Sequence, residues 1–177
     1  GIGGFHAALG ALGGECVYAS EWDKDAARIY ERNWNLKPDG DITLAANDEV
    51  MNVPAHDVLV GGFPCQPYST AGKRLGTADE RHLFPEMLRA IKEIEPTWII
   101  GENVRGLVSW GGGLVFDEVC SNLEGEGYEV QPFLIPASSK NAPHKRERIW
   151  FVAYSNSKRY TRPTSTRTLR ATPLRPG

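Results

Sequence analysis

Short apolar runs alternate along the chain with stretches in which apolar residues recur every three or four positions. A run of consecutive apolar residues is typical of a strand buried on both faces of a sheet, and the longer spacing is typical of one helix face. The alternation of the two patterns predicts an open α/β sheet with right-handed crossovers. We predict strands at residues 17–19, 58–60, 98–100, 130–135 and 149–154, and helices at residues 5–12, 23–34, 84–94 and 114–123, with Asp23 capping the second helix.

The composition fits a single folded domain. Of the 177 residues, 41% are hydrophobic and 24% charged, and no apolar run approaches the roughly 18 residues that a membrane-spanning helix needs. The periodicity ends after Tyr154, so we predict a folded domain over residues 1–155 and a basic linker, or the start of a further region, over residues 156–177. Because the chain opens on Gly1 and not on methionine, we expect a fragment that is truncated at both ends.

The distribution of charge and the spacing of the cysteines and histidines limit the classes of protein to which this chain can belong. Residues 149–177 carry six basic side chains and no acid, whereas the preceding 148 residues carry 14 basic and 22 acidic ones. A solvated linker is the favoured interpretation of this basic end, and contacts with a polyanion are the alternative. The 3 cysteines and 4 histidines are scattered, so we expect no disulfide framework, no metal site and a reducing, cytoplasmic location.

Candidate cofactor residues follow the first predicted strand and open the chain. In an open α/β sheet, ligands bind beyond the carboxyl ends of the strands, and Glu21 and Trp22 lie at such an end. A carboxylate there can hold ribose hydroxyls, and the indole offers a flat face to a purine. Gly1, Gly3 and Gly4 precede a predicted helix and allow its backbone to approach a ligand closely. The combination predicts a nucleoside-containing cofactor, and at this point a nicotinamide-dependent dehydrogenase remains open.

Candidate catalytic groups follow the later strands. Cys65 lies between Gly-Gly and two prolines just after the predicted strand 58–60, a loop-forming setting that favours a thiolate nucleophile over a buried structural cysteine. Glu102 follows the strand 98–100, where a carboxyl group can act as an acid. Arg146 and Arg148 are two positions apart, so in an extended chain both guanidinium groups face the same side.

These segments together resemble the ordered motifs of the cytosine-5 DNA methyltransferases. The resemblance spans nearly all of residues 1–155. It is carried by Gly1-x-Gly3-Gly4, Glu21-Trp22, Gly40-Asp41-Ile42, Pro64-Cys65-Gln66, Glu102-Asn103-Val104 and Arg146-x-Arg148. It implies a Rossmann-like, open and mostly parallel sheet with helices on both faces, and S-adenosylmethionine as cofactor.

The resemblance also implies a role for each matching residue. Cys65 would add to carbon 6 of a cytosine flipped out of duplex DNA, Glu102 would bond ring N3 and the amine, and Arg146, with Arg148 beside it, would hold O2. The resemblance assigns the cofactor to Gly1, Gly3, Gly4, Glu21, Trp22, Asp41, Ile42 and Leu83, and DNA contacts to Gln66, Ser69, Lys73 and Arg74. We expect a monomer.

Two alternatives to DNA methylation stay open within this resemblance. One is a cytosine-5 methyltransferase that acts on tRNA. The other is a catalytically impaired fragment that serves only as a binding module, because the first strand and the sequence-reading region of the family have no counterpart in residues 1–177.

Overall fold

The computed structural model describes residues 1–43, 53–63 and 83–158. The helices are α1 (Gly4–Gly10), α2 (Lys24–Trp34), α3 (Phe84–Ile94) and α4 (Leu114–Gly125), and the strands are β1 (Val58–Gly62), β2 (Trp98–Val104), β3 (Tyr128–Pro136) and β4 (Glu147–Ser155). Two 3₁₀ segments, Arg105–Gly113 and Ala137–Lys140, connect them. Among the described residues, no helix is long and apolar enough to cross a membrane.

The four strands form one sheet in the order β1-β2-β4-β3. β1 and β2 are parallel and are joined through α3, whereas β4 is antiparallel to both β2 and β3. The open α/β fold is therefore confirmed, but the described sheet is mixed and not mostly parallel. The physical reason is the short connection over residues 137–146, because a parallel neighbour would need a longer crossover, usually a helix.

The strand predicted at 17–19 does not form in the described part of the chain. Its neighbourhood makes one isolated parallel bridge, between Ser20 and Asp39. Asp39 N donates to Ala19 O, and Glu21 N donates to Asp39 O, both at 2.8 Å. The segment pairs with no further strand among the described residues, and Val17 remains 43% exposed. The prediction of a full strand was wrong. The segment does lie directly before the cofactor candidates Glu21 and Trp22, as predicted.

Helices pack on both faces of the sheet, as predicted. On one face α3 and α4 enclose a core that includes Ile91, Leu123 and Phe151. On the other, Phe5 of α1 lies edge-on against Trp150, with ring centroids 5.9 Å apart. Successive strand residues point to opposite faces, so Trp150 and Phe151 belong to different layers. The face that carries Trp150 is the one on which the candidate site lies.

Candidate active site

The acidic centre of the site is Glu102, near the carboxyl end of β2. Arg148 of β4 places its Nε atom 3.0 Å from Glu102 Oε1, and both side chains are partly buried. The antiparallel register sets Trp150 opposite Glu102 and Arg148 opposite Val104, which brings the guanidinium group within reach. A partly buried ion pair of this kind fixes the direction of the carboxylate.

The strand next to Glu102 carries two glycines that make room for different neighbours. Gly62 pairs with Glu102 in the parallel register, and a Cβ atom at Gly62 would lie 3.2 Å from Glu102 Oε2. A Cβ atom at Gly61 would instead lie 3.4 Å from the sulfur of Met87, which belongs to α3. The Gly-Gly pair therefore admits the carboxylate on one face of the sheet and a core methionine on the other.

Asn103 connects this strand to the segment that leads to the predicted nucleophile. Its side chain is buried, with 3% exposure. Asn103 Nδ2 donates to Phe63 O at 2.9 Å, and its Oδ1 accepts from Val104 N at 2.8 Å. Both ends of the buried amide are thus paired, as buried polar groups generally are. Phe63 is the last described residue before Pro64 and Cys65, so Asn103 holds the backbone of the residue that precedes them.

The predicted nucleophile and the predicted DNA contacts lie outside the described residues. These are Cys65, Gln66, Ser69, Lys73 and Arg74. Their roles stay predictions. The structure describes Phe63, the residue that directly precedes Pro64 and Cys65.

The two arginines do not lie in the extended arrangement expected from their spacing. Arg146 has φ 37°, so the chain turns there, and its side chain is exposed. β4 begins only at Glu147, whose Oε2 accepts from Arg105 at 2.6 Å. The prediction of an extended chain from 146 to 148 was wrong, because the connection from β3 ends in a left-handed turn. Of the two arginines, Arg148 is the one placed against Glu102.

Residues 1–4, here called the glycine turn, lead into α1, as the sequence indicated. Gly3 is the residue that caps the helix, with φ 98°, a conformation that favours glycine. A methyl group added at Gly3 would overlap the indole ring of Trp34, which lies at the end of α2. Both the backbone angle and the close approach therefore require glycine at this position.

Glu21 and Trp22 lie beside this turn and differ sharply in exposure. The Glu21 side chain is 13% exposed. The Gly1 nitrogen donates to its Oε2, and Asp23 N donates to its Oε1 at 2.8 Å. Trp22 is 75% exposed and so does not belong to the core. The carboxylate is oriented and the indole face is free for a planar ligand.

The bridge between Ser20 and Asp39 brings a further pair of cofactor candidates to the same place. Asp41 and Ile42 follow Asp39, as Glu21 follows Ser20, in two parallel segments. Asp41 Oδ1 accepts from Thr43 N at 2.9 Å. Arg89 of α3 donates to Ile42 O at 3.4 Å, which ties this loop to the helix that Leu83 caps. The described cofactor candidates thus lie on connected segments.

Three contributors to the site were not singled out from the sequence. Asn103 was noted only as part of a motif, and the buried position that alternation gives it on β2 could have indicated its role. Gly62 was noted only as part of the Gly-Gly pair before Cys65. Both Gly62 and Trp34 act through close approaches between segments that are distant in the chain. In the described ranges, no group of three acidic, histidine or cysteine side chains is placed to hold a metal ion.

Comparison with known proteins identifies the class to which this fold and site belong. The family model for the C-5 cytosine-specific DNA methylase matches residues 1–173, so the chain belongs to that family. The predicted resemblance is thereby confirmed.

Individual proteins to which the chain is similar are also methyltransferases. The type II methyltransferase M.AluI of Cellulosimicrobium cellulans is 47% identical over 165 residues, which cover 86% of this chain and 32% of the relative. M.HhaI of Haemophilus parahaemolyticus is 39% identical over 157 residues, 88% of this chain and 47% of the relative. The solved Dnmt2 methyltransferase of S. pombe superposes with a TM-score of 0.69 at 24% identity, covering 90% of this chain and 50% of that one. The chain spans about a third to a half of these curated relatives.

Proposed function

We propose that this chain is the catalytic part, over residues 1–155, of a methyltransferase that acts on carbon 5 of cytosine in duplex DNA. The observation that carries the proposal is the pairing of Glu102 with Arg148 beside the backbone that Asn103 holds. Glu102 and Gly62, the third residue before Cys65 in the sequence, lie opposite each other on adjacent strands. Membership in the C-5 cytosine-specific DNA methylase family supports the same reaction.

The residues around the glycine turn fit S-adenosylmethionine. An oriented carboxylate at Glu21 can accept from ribose hydroxyls, and the exposed Trp22 can stack on adenine. Gly3 gives the turn its left-handed backbone angle, and its missing side chain makes room for the Trp34 indole that packs against the turn. S-adenosylmethionine, when bound, supplies an electrophilic methyl group. We assign its binding to these residues together with Asp41, Ile42 and Leu83.

The chain's own groups provide the remaining chemistry. The Cys65 thiolate forms a bond to carbon 6 of the flipped cytosine, and the electron pair of the 5,6 double bond moves so that carbon 5 becomes nucleophilic. Glu102, once protonated, donates to ring N3, and Arg146 offsets the charge that develops at O2. Once carbon 5 has taken the methyl group, with S-adenosylhomocysteine as the other product, a base such as water accepts the proton on carbon 5. The electron pair of that C–H bond restores the 5,6 double bond and expels the Cys65 thiolate.

Trapping with 5-fluorocytosine DNA tests the covalent step. Fluorine at carbon 5 cannot leave as a proton, so the bond to Cys65 persists and the adduct survives denaturation. The full-length protein should form this adduct, and so should Cys16→Ser and Cys120→Ser variants, whereas Cys65→Ser should form none. An adduct in the Cys65→Ser variant would contradict the assignment.

Methyl transfer to two substrates tests the nucleic acid. The full-length protein should transfer labelled methyl groups to duplex DNA that contains cytosine. Transfer to tRNA with none to duplex DNA would replace the DNA assignment by an RNA one.

A further inference from the structure

Trp34, the last residue of α2, packs against the glycine turn. Trp34 Nε1 donates to Ile2 O at 3.1 Å, across 32 positions of the chain. Gly3, the next residue, packs so closely on the same indole that no side chain fits between them. The Trp34 indole therefore both donates a hydrogen bond to the turn and packs against its backbone.

The position of that ring is set from its other side. His6 stacks on Trp34 with the ring centroids 4.2 Å apart and the planes inclined by 17°. His6 Nδ1 lies 2.8 Å from the hydroxyl of Tyr30, whose side chain is buried. Burial, followed by the contact with Cys16, raises the pKa of Tyr30, so its hydroxyl stays protonated and can donate.

The same cluster reaches the segment that leads to Glu21. Cys16 Sγ lies 3.4 Å from the Tyr30 hydroxyl and 3.3 Å from Tyr18 O. The contacts thus run from the glycine turn through Trp34, His6 and Tyr30 to the backbone just before the bridge at Ser20. Two segments assigned to the cofactor, the turn and the approach to Glu21, are joined through side chains of α1 and α2.

We propose that Trp34 is a positioning residue that sets the affinity for the cofactor. The inference rests on the proposed binding of S-adenosylmethionine at the glycine turn. The orientation of the Ile2 carbonyl fixes the peptide plane before Gly3 and hence the backbone that faces the ligand. The indole N–H is the donor that holds this carbonyl, so its loss lets the turn rotate before binding.

Trp34→Phe tests this role, because it keeps an aromatic ring under Gly3 and removes only the donor and part of the ring. One hydrogen bond of ordinary strength corresponds to a rise of about three- to tenfold in KM for S-adenosylmethionine, with kcat at saturating cofactor unchanged. Trp98→Phe is the matched control, since Trp98 begins β2 at the opposite end of the strand from Glu102. It should leave KM for the cofactor at the wild-type value.

Several outcomes separate the inference from the proposed function. If the wild-type protein neither binds nor uses S-adenosylmethionine, the proposed function fails. If the wild type is active and Trp34→Phe has an unchanged KM, or a lower kcat alone, the inference is overturned. If Trp34→Phe does not fold, His6→Ala is a second variant that tests the positioning role of Trp34. It keeps the indole donor but frees the ring, so it should also raise KM, and an unchanged KM would overturn the inference.

Discussion

Replacing Asn103 by alanine removes the amide that joins β2 to the last described residue before Pro64 and Cys65. The change deletes a hydrogen bond to Phe63 O of 2.9 Å and one from Val104 N of 2.8 Å. Because Asn103 is only 3% exposed, water cannot easily replace the amide. A buried group left unpaired costs about 1–3 kcal/mol, so two such groups give a loss of about 2–6 kcal/mol in the free energy of unfolding.

The same substitution should also slow catalysis. In the proposed reaction Cys65 attacks carbon 6, and the released Phe63 O would loosen the backbone that leads to Cys65. A misplacement of a reacting group by about 1 Å can cost about a hundredfold in rate. We expect kcat of the full-length protein to fall by about that factor, while KM for S-adenosylmethionine changes little.

Thermal unfolding and single-turnover methylation measure the two effects separately, at a temperature where the variant remains folded. Asn33→Ala, at an exposed position on α2, is the matched control and should change neither quantity. Adduct formation with 5-fluorocytosine DNA should slow in parallel with turnover. An Asn103→Ala protein that is destabilised but methylates at the wild-type rate would refute the positioning argument.

Two further changes test the site and its surroundings. Gly62→Ala places a Cβ atom 3.2 Å from Glu102 Oε2, so the carboxylate must move, and we expect a fall in kcat with little change in melting temperature; an unchanged kcat would contradict this. Burial, together with the charges of Glu124 and Asp117, raises the pKa of Cys120, so its thiolate appears only at higher pH than in an unfolded chain. Iodoacetamide should therefore label Cys120 in the folded protein more slowly near pH 8 than after denaturation, as peptide mass mapping would show, and equal rates would contradict the expectation.

Local signals account for the elements that the sequence predicted well. Asp23 caps α2 by accepting from Ala26 N at 2.7 Å, a contact between neighbours in the chain. β1 and β2 begin at the predicted residues 58 and 98, because their half-buried to buried apolar runs pair with each other in the sheet. The segment 17–19 has a similar apolar run but lacks a paired strand among the described residues, so the same pattern led to a wrong prediction there.

The arrangement of the site depended on information that the sequence pattern does not contain. Spacing alone grouped Arg146 with Arg148, but the turn at Arg146, with φ 37°, separates their directions. Which arginine meets Glu102 is decided by the register of β2 against β4, a pairing between residues more than forty positions apart. The ordered motifs indicated which residues belong to the site, and the register determines which of them touch.

An aromatic contact links the cofactor candidates to the part of the sheet that carries Glu102. Trp150 lies opposite Glu102 in the sheet, and Phe5, in the first turn of α1, packs edge-on against it at 5.9 Å. The glycine turn immediately before α1 therefore lies above the same face of the sheet that carries the acid. A methyl donor bound at Gly3 and a pyrimidine held by Glu102 would then approach each other on one side of β2. This shared face supports the proposed transfer, because a donor bound on the opposite face would be separated from the base by the buried layer around Phe151.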